Sequence, residues 1–230
     1  MMRRAGATRV QPIEGSGHLV LRETGDLIEI MAANVVLLSS AALATELAFG
    51  ALAATLSASA PGRVIVGGLG FGATVRGVLD VVPAGTRVTV VEKVQAIPPL
   101  VRGPLSHLAD RPLEDPRVEV VVGDVAEVIA AERGSADIIL MDVDNGPHWA
   151  SFRTNARLYS PAGLASFREA LRPGGAVAFW SGYRADAFTR SLREAGLEAS
   201  IVPLQERGRV RARAYVGKLL RPAGGRLAVF

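Results

Sequence analysis

Three glycines, Gly68, Gly70 and Gly72, follow an apolar segment in the spacing G-x-G-x-G. Glycine lets a backbone turn tightly and approach a ligand that a Cβ atom would keep away. Glu92 ends the next apolar segment, roughly 20 residues further on, where a carboxylate can bind the two hydroxyls of a ribose. The pattern predicts a nucleotide site, although a purely structural strand–helix–strand unit with an incidental Glu would leave the same residues.

Two aspartates follow later apolar segments in the same way. Asp124 comes after Arg117–Val122, and Asp142 ends Asp137–Asp142. Because parallel strands end at one edge of an open α/β sheet, both carboxylates are expected near the glycines. Asp124 can accept a hydrogen bond from an adenine amino group and can also cap the helix that follows it. Asp142 is our candidate general base, with a strand-end cap as the alternative role.

The segments that must position these residues alternate between strand and helix patterns. We predict an α/β fold with a doubly wound, mostly parallel sheet, in which two late strands form an antiparallel pair. The predicted strands are Val64–Gly67, Arg87–Glu92, Arg117–Val122, Asp137–Asp142, Ala176–Trp180, Leu197–Pro203 and Arg213–Leu219, and the longer helices are Ala73–Val82, one opened by Ser160-Pro161, and Arg184–Ala195.

Residues 1–60 are predicted to form a small N-terminal appendage, and residues 61–230 the nucleotide-binding domain. Within the appendage, 1–17 is expected to be a mobile leader. His18–Arg22 and Leu27–Met31 flank the turn sequence E-T-G-D and predict a hairpin, to which Asn34–Leu38 can add a strand. A helix is expected from Ser39 or Ser40 to about Ser57.

Composition restricts the possible chemistry. The chain has no cysteine and only three scattered histidines, so we expect no metal site. The absence of a charge-free apolar run and of an apolar signal core predicts a cytoplasmic protein without a membrane span. Nucleic acid is an unlikely partner, because the basic C-terminal region lacks interleaved aromatic residues. Alternating arginines from Arg207 to Arg213 fit an acidic partner or a solvated sheet edge.

Several segments together resemble the polyamine aminopropyltransferase (spermidine synthase) family, which has the Rossmann-like class I S-adenosylmethionine-dependent methyltransferase fold. The resemblance runs from about Arg63 to Trp180, through VIVGGLGFGATVRGVL, VTVVE, DPRVEVVVGDV, DIILMDVDNGP and LRPGG. It implies a seven-stranded sheet, S-adenosylmethionine or its decarboxylated form as cofactor, and a homodimer or higher homo-oligomer. It assigns Gly68, Gly70 and Gly72 to the methionine-derived part of the cofactor, Glu92 to the ribose, Asp124 with Val125 to adenine, and Asp142 to proton removal from the attacking amine.

The sequence departs from this family at the acceptor side. The family loop G-G-G-D-G-G has an Asp that holds the aminopropyl amine, and we expect Phe71 at that position. The second Asp of the family's D-[ST]-x-D-P loop falls at Asn145, with Asp144 one residue earlier. Of the family's polyamine-binding Tyr-His-Glu segment, only the Glu has a counterpart in this sequence, which is Glu46. Since a polyamine pocket needs carboxylates to replace hydration, the acceptor pocket is expected to be altered.

Three functions follow as hypotheses. The favoured one is methyl transfer from S-adenosylmethionine to a small-molecule N or O acceptor, motivated by the lost loop Asp. The alternative is aminopropyl transfer from decarboxylated S-adenosylmethionine to a polyamine, and a further alternative is a non-catalytic, oligomeric nucleotide-binding protein. The proposed catalytic residues are Asp142 and Asp144, and the proposed acceptor-binding residues are Asn145, His148, Trp149 and Trp180.

Overall fold

The structure, a computed structural model, describes residues 8–13, 18–32, 34–57, 59–143 and 153–221. Its N-terminal part is a four-stranded antiparallel sheet in the order β1-β2-β3-β4. The strands are β1 (Thr8–Pro12), β2 (Leu19–Thr24), β3 (Leu27–Ala32) and β4 (Val35–Ser39). The predicted hairpin and added strand are therefore confirmed.

The expectation of a leader before the hairpin is wrong for β1. This strand pairs with β2 from Thr8 opposite Thr24 to Pro12 opposite Val20. Four of its five residues are exposed, so it has no buried face and no alternation of apolar and polar residues. Backbone pairing with β2 holds the strand in place, and that pairing leaves no signal in side-chain hydropathy.

The helix after β4 packs closely on the core domain. A short 3-10 turn, capped by Ser39, leads into α1 (Leu43–Ala51), and a break at Leu52 separates α1 from α2 (Ala53–Leu56). The partner of α1 is α3 (Ala73–Leu79), which follows the glycine loop. A Cβ atom on Gly50 would lie only 2.1 Å from the carbonyl oxygen of Thr74, so the two backbones touch. This contact fixes the distance between α1 and the glycine loop.

The second sheet has seven strands in the order β10-β11-β9-β8-β5-β6-β7. Five strands are parallel, and β10 and β11 join antiparallel, as predicted. The strands are β5 (Arg63–Gly67), β6 (Arg87–Glu92), β7 (Val118–Val122), β8 (Ala136–Met141), β9 (Leu171–Ser181), β10 (Glu198–Glu206) and β11 (Arg209–Lys218), with helices α4 (Ile97–Arg102), α5 (Val125–Ala131), α6 (Pro161–Ala170) and α7 (Phe188–Glu194).

The central strand β5 is buried on both faces. Val64 and Val66 point into one apolar cluster, Ile65 points into the other, and all three side chains are 0% exposed. The strand order reverses between β5 and β8, because β6 lies on one side of β5 and the later strand β8 on the other. In open α/β sheets this reversal leaves a crevice beyond the carboxyl ends of the strands.

Strand β9 begins five residues earlier than the predicted Ala176. Its first residue, Leu171, pairs with Ala136, and the register then shifts before Ala176 pairs with Ile138. Arg172-Pro173-Gly174-Gly175, which follows the end of α6 at Ala170, forms this irregularity within the strand. In the part of the chain that the structure describes, no helix has the length and apolar character needed to cross a membrane.

Candidate active site

A cavity of about 260 Å³ lies beyond the carboxyl ends of β5, β6 and β8. One part of its wall comes from the parallel sheet and the loops that follow its strands, and the other part comes from the N-terminal sheet and α1. The first part includes Gly68, Gly70, Val91, Glu92, Lys93, Val94, Gly123, Asp124, Val125, Asp142 and Trp180, and the second includes Leu19, Ile30, Val36, Leu37, Leu38, Ser39, Ala42 and Glu46.

The three motif glycines have different roles. Gly68 lines the cavity with φ +89°, and a Cβ atom there would lie 2.2 Å from the carbonyl oxygen of Asp142. Gly70 also lines the cavity, with φ +53° and open space where its Cβ would be. Gly72 is not among the cavity-lining residues; it precedes α3 and approaches Pro112. Of the three predicted cofactor residues, Gly70 is therefore the one that leaves room for a ligand.

Glu92 lies at the end of β6 with an exposed fraction of 8%. Its Oε2 accepts a hydrogen bond from the amide of Leu69 at 2.9 Å, and its Oε1 accepts one from the amide of Val94 at 2.7 Å. Burial raises the pKa of Glu92, and the backbone hydrogen bonds oppose this rise. A third backbone hydrogen bond comes from Lys93. The carboxylate thus anchors the glycine loop, and one of its four lone-pair positions is left for a ribose hydroxyl.

Asp124 lines the cavity and caps α5, as the sequence predicted. Its Oδ1 accepts a hydrogen bond from the amide of Ala126 at 2.9 Å, while its Oδ2 lies 3.0 Å from Lys93 Nζ and 2.7 Å from Arg157. Burial favours the neutral acid, but the hydrogen bonds from Lys93 and Ala126 and the two cations outweigh it and lower the pKa of Asp124. An adenine amino group would share this carboxylate with two cations.

Replacing Asp124 with Ala is expected to lower the free energy of unfolding by about 1 kcal/mol, because α5 loses its N-cap. Replacement with Asn keeps an oxygen for the Ala126 amide and should cost less, since the exposed ion pairs contribute little. Urea unfolding of both variants measures the difference. Equal losses for Ala and Asn would mean that the cap is not what Asp124 contributes.

Asp142 lies directly after β8, at the reversal of strand order. Its amide donates a hydrogen bond to the carbonyl of Gly67 at 2.7 Å, and its Oδ2 accepts one from the hydroxyl of Thr74 at 2.5 Å. The same hydroxyl lies 3.3 Å from the carbonyl oxygen of Glu46, with which it can also bond. Thr74, at the start of α3, thus connects the carboxylate of Asp142 with the backbone of α1 at Glu46.

The side chain of Glu46 reaches from α1 to the glycine loop. Its Oε2 would lie 4.0 Å from a Cβ atom on Gly70, and both residues line the cavity with Asp142. Withdrawal from water raises the pKa of Glu46 well above its ordinary value, and the charge of Asp142 raises it further. Withdrawal from water also raises the pKa of Asp142 to about 6, against the hydrogen bond from Thr74. Two carboxylates in one small cavity favour a cationic ligand.

Phe71 does not occupy the position we expected for it. The loop Gly67–Gly72 has the same six-residue length as G-G-G-D-G-G, so a gap-free comparison puts the Asp position at Gly70. Phe71 is 1% exposed in the core and does not line the cavity. The loop therefore lacks a carboxylate of its own, and Glu46 supplies one from α1.

Trp180 lines the cavity near the end of β9 with an exposed fraction of 8%. Its ring packs in the same apolar cluster as Val64 and Val66, and its Nε1 has no hydrogen-bond partner among the described residues. It is therefore both a core residue and a wall residue. The other predicted acceptor and catalytic residues, Asp144, Asn145, His148 and Trp149, lie outside the described residues.

Sequence reasoning missed several residues of the site. Lys93 follows Glu92 directly and could have been found from that position, whereas Arg157 and Asn155 come from a 3-10 segment with no motif. The apolar wall from the N-terminal sheet was also missed, because a residue's neighbours across sheets leave no local pattern. Among the described residues, no three His, Cys, Asp or Glu side chains are grouped so as to hold a metal ion.

No known protein family and no curated protein matches this sequence. Solved structures do match. A spermidine synthase in complex with the transition-state analogue AdoDATO has a TM-score of 0.67 and 15% identity, over 94% of this chain and 72% of that one. Spermidine synthase from Thermotoga maritima has a TM-score of 0.69 and 17% identity, over 91% and 72%. The chain therefore has a spermidine synthase-like fold, as the resemblance of its motifs implied.

Proposed function

We propose that this protein transfers an aminopropyl group from decarboxylated S-adenosylmethionine to an amine. This is the alternative of the two transfer reactions, and it replaces methyl transfer as our favoured hypothesis. The observation that carries it is the carboxylate of Glu46 beside Gly70, in the same cavity as Asp142. The spermidine synthase-like fold supports the same choice.

The charge of Glu46 distinguishes the two forms of the cofactor. The loop around Gly70 is assigned to the end of the ligand that derives from methionine. In S-adenosylmethionine this end carries a carboxylate, which an ionised Glu46 would repel. In the decarboxylated form it carries only an ammonium group, with which Glu46 can pair. Binding of the ammonium group would also offset the free energy that is needed to ionise Glu46 in the cavity.

The residues around the cavity fit the nucleoside. Gly70 leaves space for close approach, Glu92 keeps one lone pair for a ribose hydroxyl, and Asp124 offers an acceptor beside Val125. When bound, the sulfonium supplies an electrophilic carbon and a neutral thioether leaving group. Fixing the acceptor in line with that carbon contributes several kcal/mol by proximity alone.

Asp142 is proposed to handle the proton. The acceptor nitrogen must lose a proton to expose its lone pair, and a carboxylate with a pKa of about 6 can take it at neutral pH. The lone pair then forms the new C–N bond while the C–S bond breaks, and both electrons of that bond go to sulfur. The Thr74 hydroxyl, 2.5 Å from Oδ2, holds the carboxylate in one orientation.

Replacing Glu46 with Gln is expected to weaken decarboxylated S-adenosylmethionine about tenfold, because a charge-assisted hydrogen bond becomes a neutral one. Affinity for methylthioadenosine, which has no ammonium group, should not change. Calorimetric titration of the wild-type protein and of the variant measures both. Glu127, which is exposed on α5 and is not among the cavity-lining residues, provides the matched Glu127→Gln control.

The wild-type protein tests the choice of reaction directly. Decarboxylated S-adenosylmethionine should bind at least about tenfold more tightly than S-adenosylmethionine, and an amine panel should release methylthioadenosine. Tighter binding of S-adenosylmethionine, with release of S-adenosylhomocysteine, would instead support methyl transfer. Catalysis that survives loss of both Glu46 and Asp142 would remove the proposed roles of this pair.

A further inference from the structure

We infer that the amine acceptor is a monoamine with an apolar tail, and that a diamine is a poor ligand. This inference rests on the proposed function and adds the substrate class. It comes from the composition of the cavity wall that the N-terminal sheet contributes.

The N-terminal wall is almost wholly apolar. Strands β2, β3 and β4 contribute Leu19, Ile30, Val36, Leu37 and Leu38, and Ser39 is the one polar side chain that these three strands place in the described wall. Trp180 adds an aromatic surface from β9, and its exposed fraction is 8%. This wall offers dispersion contacts to methylene groups and offers no counter-charge to a cation.

The carboxylates of the described cavity wall lie elsewhere. Glu46 and Asp142 lie beside the glycine loop, and Glu92 and Asp124 already bind backbone amides or cations in the nucleotide part. Since the donor's ammonium group pairs with Glu46, Asp142 is the carboxylate left for the reacting nitrogen of the acceptor. The second ammonium of a diamine would have to lose its hydration against leucine and valine side chains, which is costly without a partner.

The length of the tail should matter for the same reason. Each buried methylene group contributes enough hydrophobic free energy to tighten binding about fourfold. From propylamine to hexylamine the affinity is therefore expected to rise steadily until the cavity, of about 260 Å³, is filled. In a diamine, the cost of removing water from the terminal ammonium group cancels this gain in affinity.

The test is calorimetric titration of the 230-residue protein with propylamine, butylamine, hexylamine and putrescine. The protein is first saturated with the thioether of decarboxylated S-adenosylmethionine, which lacks the sulfonium methyl group, cannot react and keeps the ammonium group that pairs with Glu46. We expect hexylamine to bind at least about tenfold more tightly than putrescine, and affinity to rise along the monoamine series. Putrescine binding as tightly as hexylamine, or no binding by any amine, would overturn the inference. A diamine preference would indicate a carboxylate beyond the described wall, for which Asp144 is the nearest candidate in sequence.

Binding and transfer separate this inference from the proposed function. If the monoamines bind as expected but release no methylthioadenosine from decarboxylated S-adenosylmethionine, the proposed reaction fails and the acceptor class stands. If diamines alone release it, the reaction stands and the acceptor class fails. Because the amine series is measured on the wild-type protein, its outcome does not depend on whether a variant folds.

Two adjacent valines on β4 provide a matched pair of variants. Val36 is half-buried and lines the cavity, whereas Val35 is 59% exposed and does not. Val36→Glu places a carboxylate in the apolar wall, so putrescine should bind about tenfold more tightly and hexylamine less tightly. Val35→Glu adds the same charge outside the wall and should change neither affinity. Equal effects of both variants would contradict the proposed orientation of the acceptor.

Discussion

Replacing Asp142 with Asn is expected to slow transfer by about 10²–10⁴-fold, the usual contribution of a positioned general base. The amide keeps the shape of the carboxylate and can still accept the hydrogen bond from Thr74, which is 2.5 Å from Oδ2 in the wild-type protein. It cannot take a proton from an ammonium group. Methylthioadenosine release at saturating substrates measures the loss, and titration with methylthioadenosine shows whether the nucleotide part stays intact.

The pH profile gives a second readout of the same residue. The pKa of Asp142 is raised to about 6, because the carboxyl group is withdrawn from water. Below this pH the group is protonated in the free enzyme and cannot act as a base, so kcat/KM should rise with pH through about 6 and then level off. Asp142→Asn should lose this acidic limb together with the rate, an effect that a purely structural role would not produce.

Asp110 provides the control for this substitution. It is exposed, is not among the cavity-lining residues, and has a left-handed backbone with φ +51° that Asn tolerates well. Asp110→Asn should therefore keep wild-type activity and the acidic limb. An Asp142→Asn protein with a rate within about twofold of the wild type would mean that the proton leaves by another route.

Glu46 and Asp142 also make the free site costly to ionise. Both pKa values are raised in the folded protein, so between the ordinary carboxyl pKa and about 6 the folded state binds more protons than the unfolded state. Stability from these groups is consequently largest at low pH and declines as pH rises through this window. A bound ammonium group removes the penalty, which links the electrostatic cost of the free site to its proposed ligand.

The fold could be predicted because its signals are local. Buried parallel strands such as β5 and β8 are continuous apolar runs, and the positions where they end are marked by Gly68 and Asp142. The alternation of strands and helices also predicts a mostly parallel sheet, whereas the number of seven strands was implied by the family resemblance and the order of the strands was not predicted. Strand β1 was missed because its exposed residues have no buried face.

Strand spacing predicts the candidate site only on the side of the parallel sheet, and Glu46 on the other side was named only through the family resemblance. Gly70, Glu92, Asp124 and Asp142 all follow strands of one sheet, so a single topological rule brings them together. Glu46 reaches the cavity only because Gly50 lets α1 touch α3 at Thr74. That contact joins residues far apart in the chain, and no local spacing indicates it.

The favoured reaction depended on a single position in the glycine loop. The sequence interpretation treated the lost loop Asp as a lost amine site and therefore favoured methyl transfer. It did not consider that another element could place a carboxylate in the same space. The 4.0 Å distance from Glu46 Oε2 to the Cβ position of Gly70 makes that substitution possible.

Gly68→Ala is expected to lower the free energy of unfolding by about 2–5 kcal/mol. A residue with φ +89° costs about 1–2 kcal/mol when it carries a Cβ. The added atom would also lie 2.2 Å from the carbonyl oxygen of Asp142, and overpacking against backbone costs about 1–3 kcal/mol more. Urea unfolding measures the loss, and Gly85→Ala is the control, because nothing lies within 4 Å of its Cβ position.

Gly70→Ala separates the packing role of this loop from its binding role. Its φ of +53° costs about 1–2 kcal/mol, but its Cβ position meets only Glu46 Oε2, at 4.0 Å, so the protein should still fold. The methyl group would enter the space that we assign to the ligand, and affinity for decarboxylated S-adenosylmethionine should fall by about tenfold or more. The Gly70→Ala variant could instead bind this ligand as tightly as the wild type, while Gly68→Ala unfolds. The loop glycines would then contribute to folding and not to ligand binding. The ligand would then approach the cavity from another side, because a group held against the loop cannot share the volume of a new side chain.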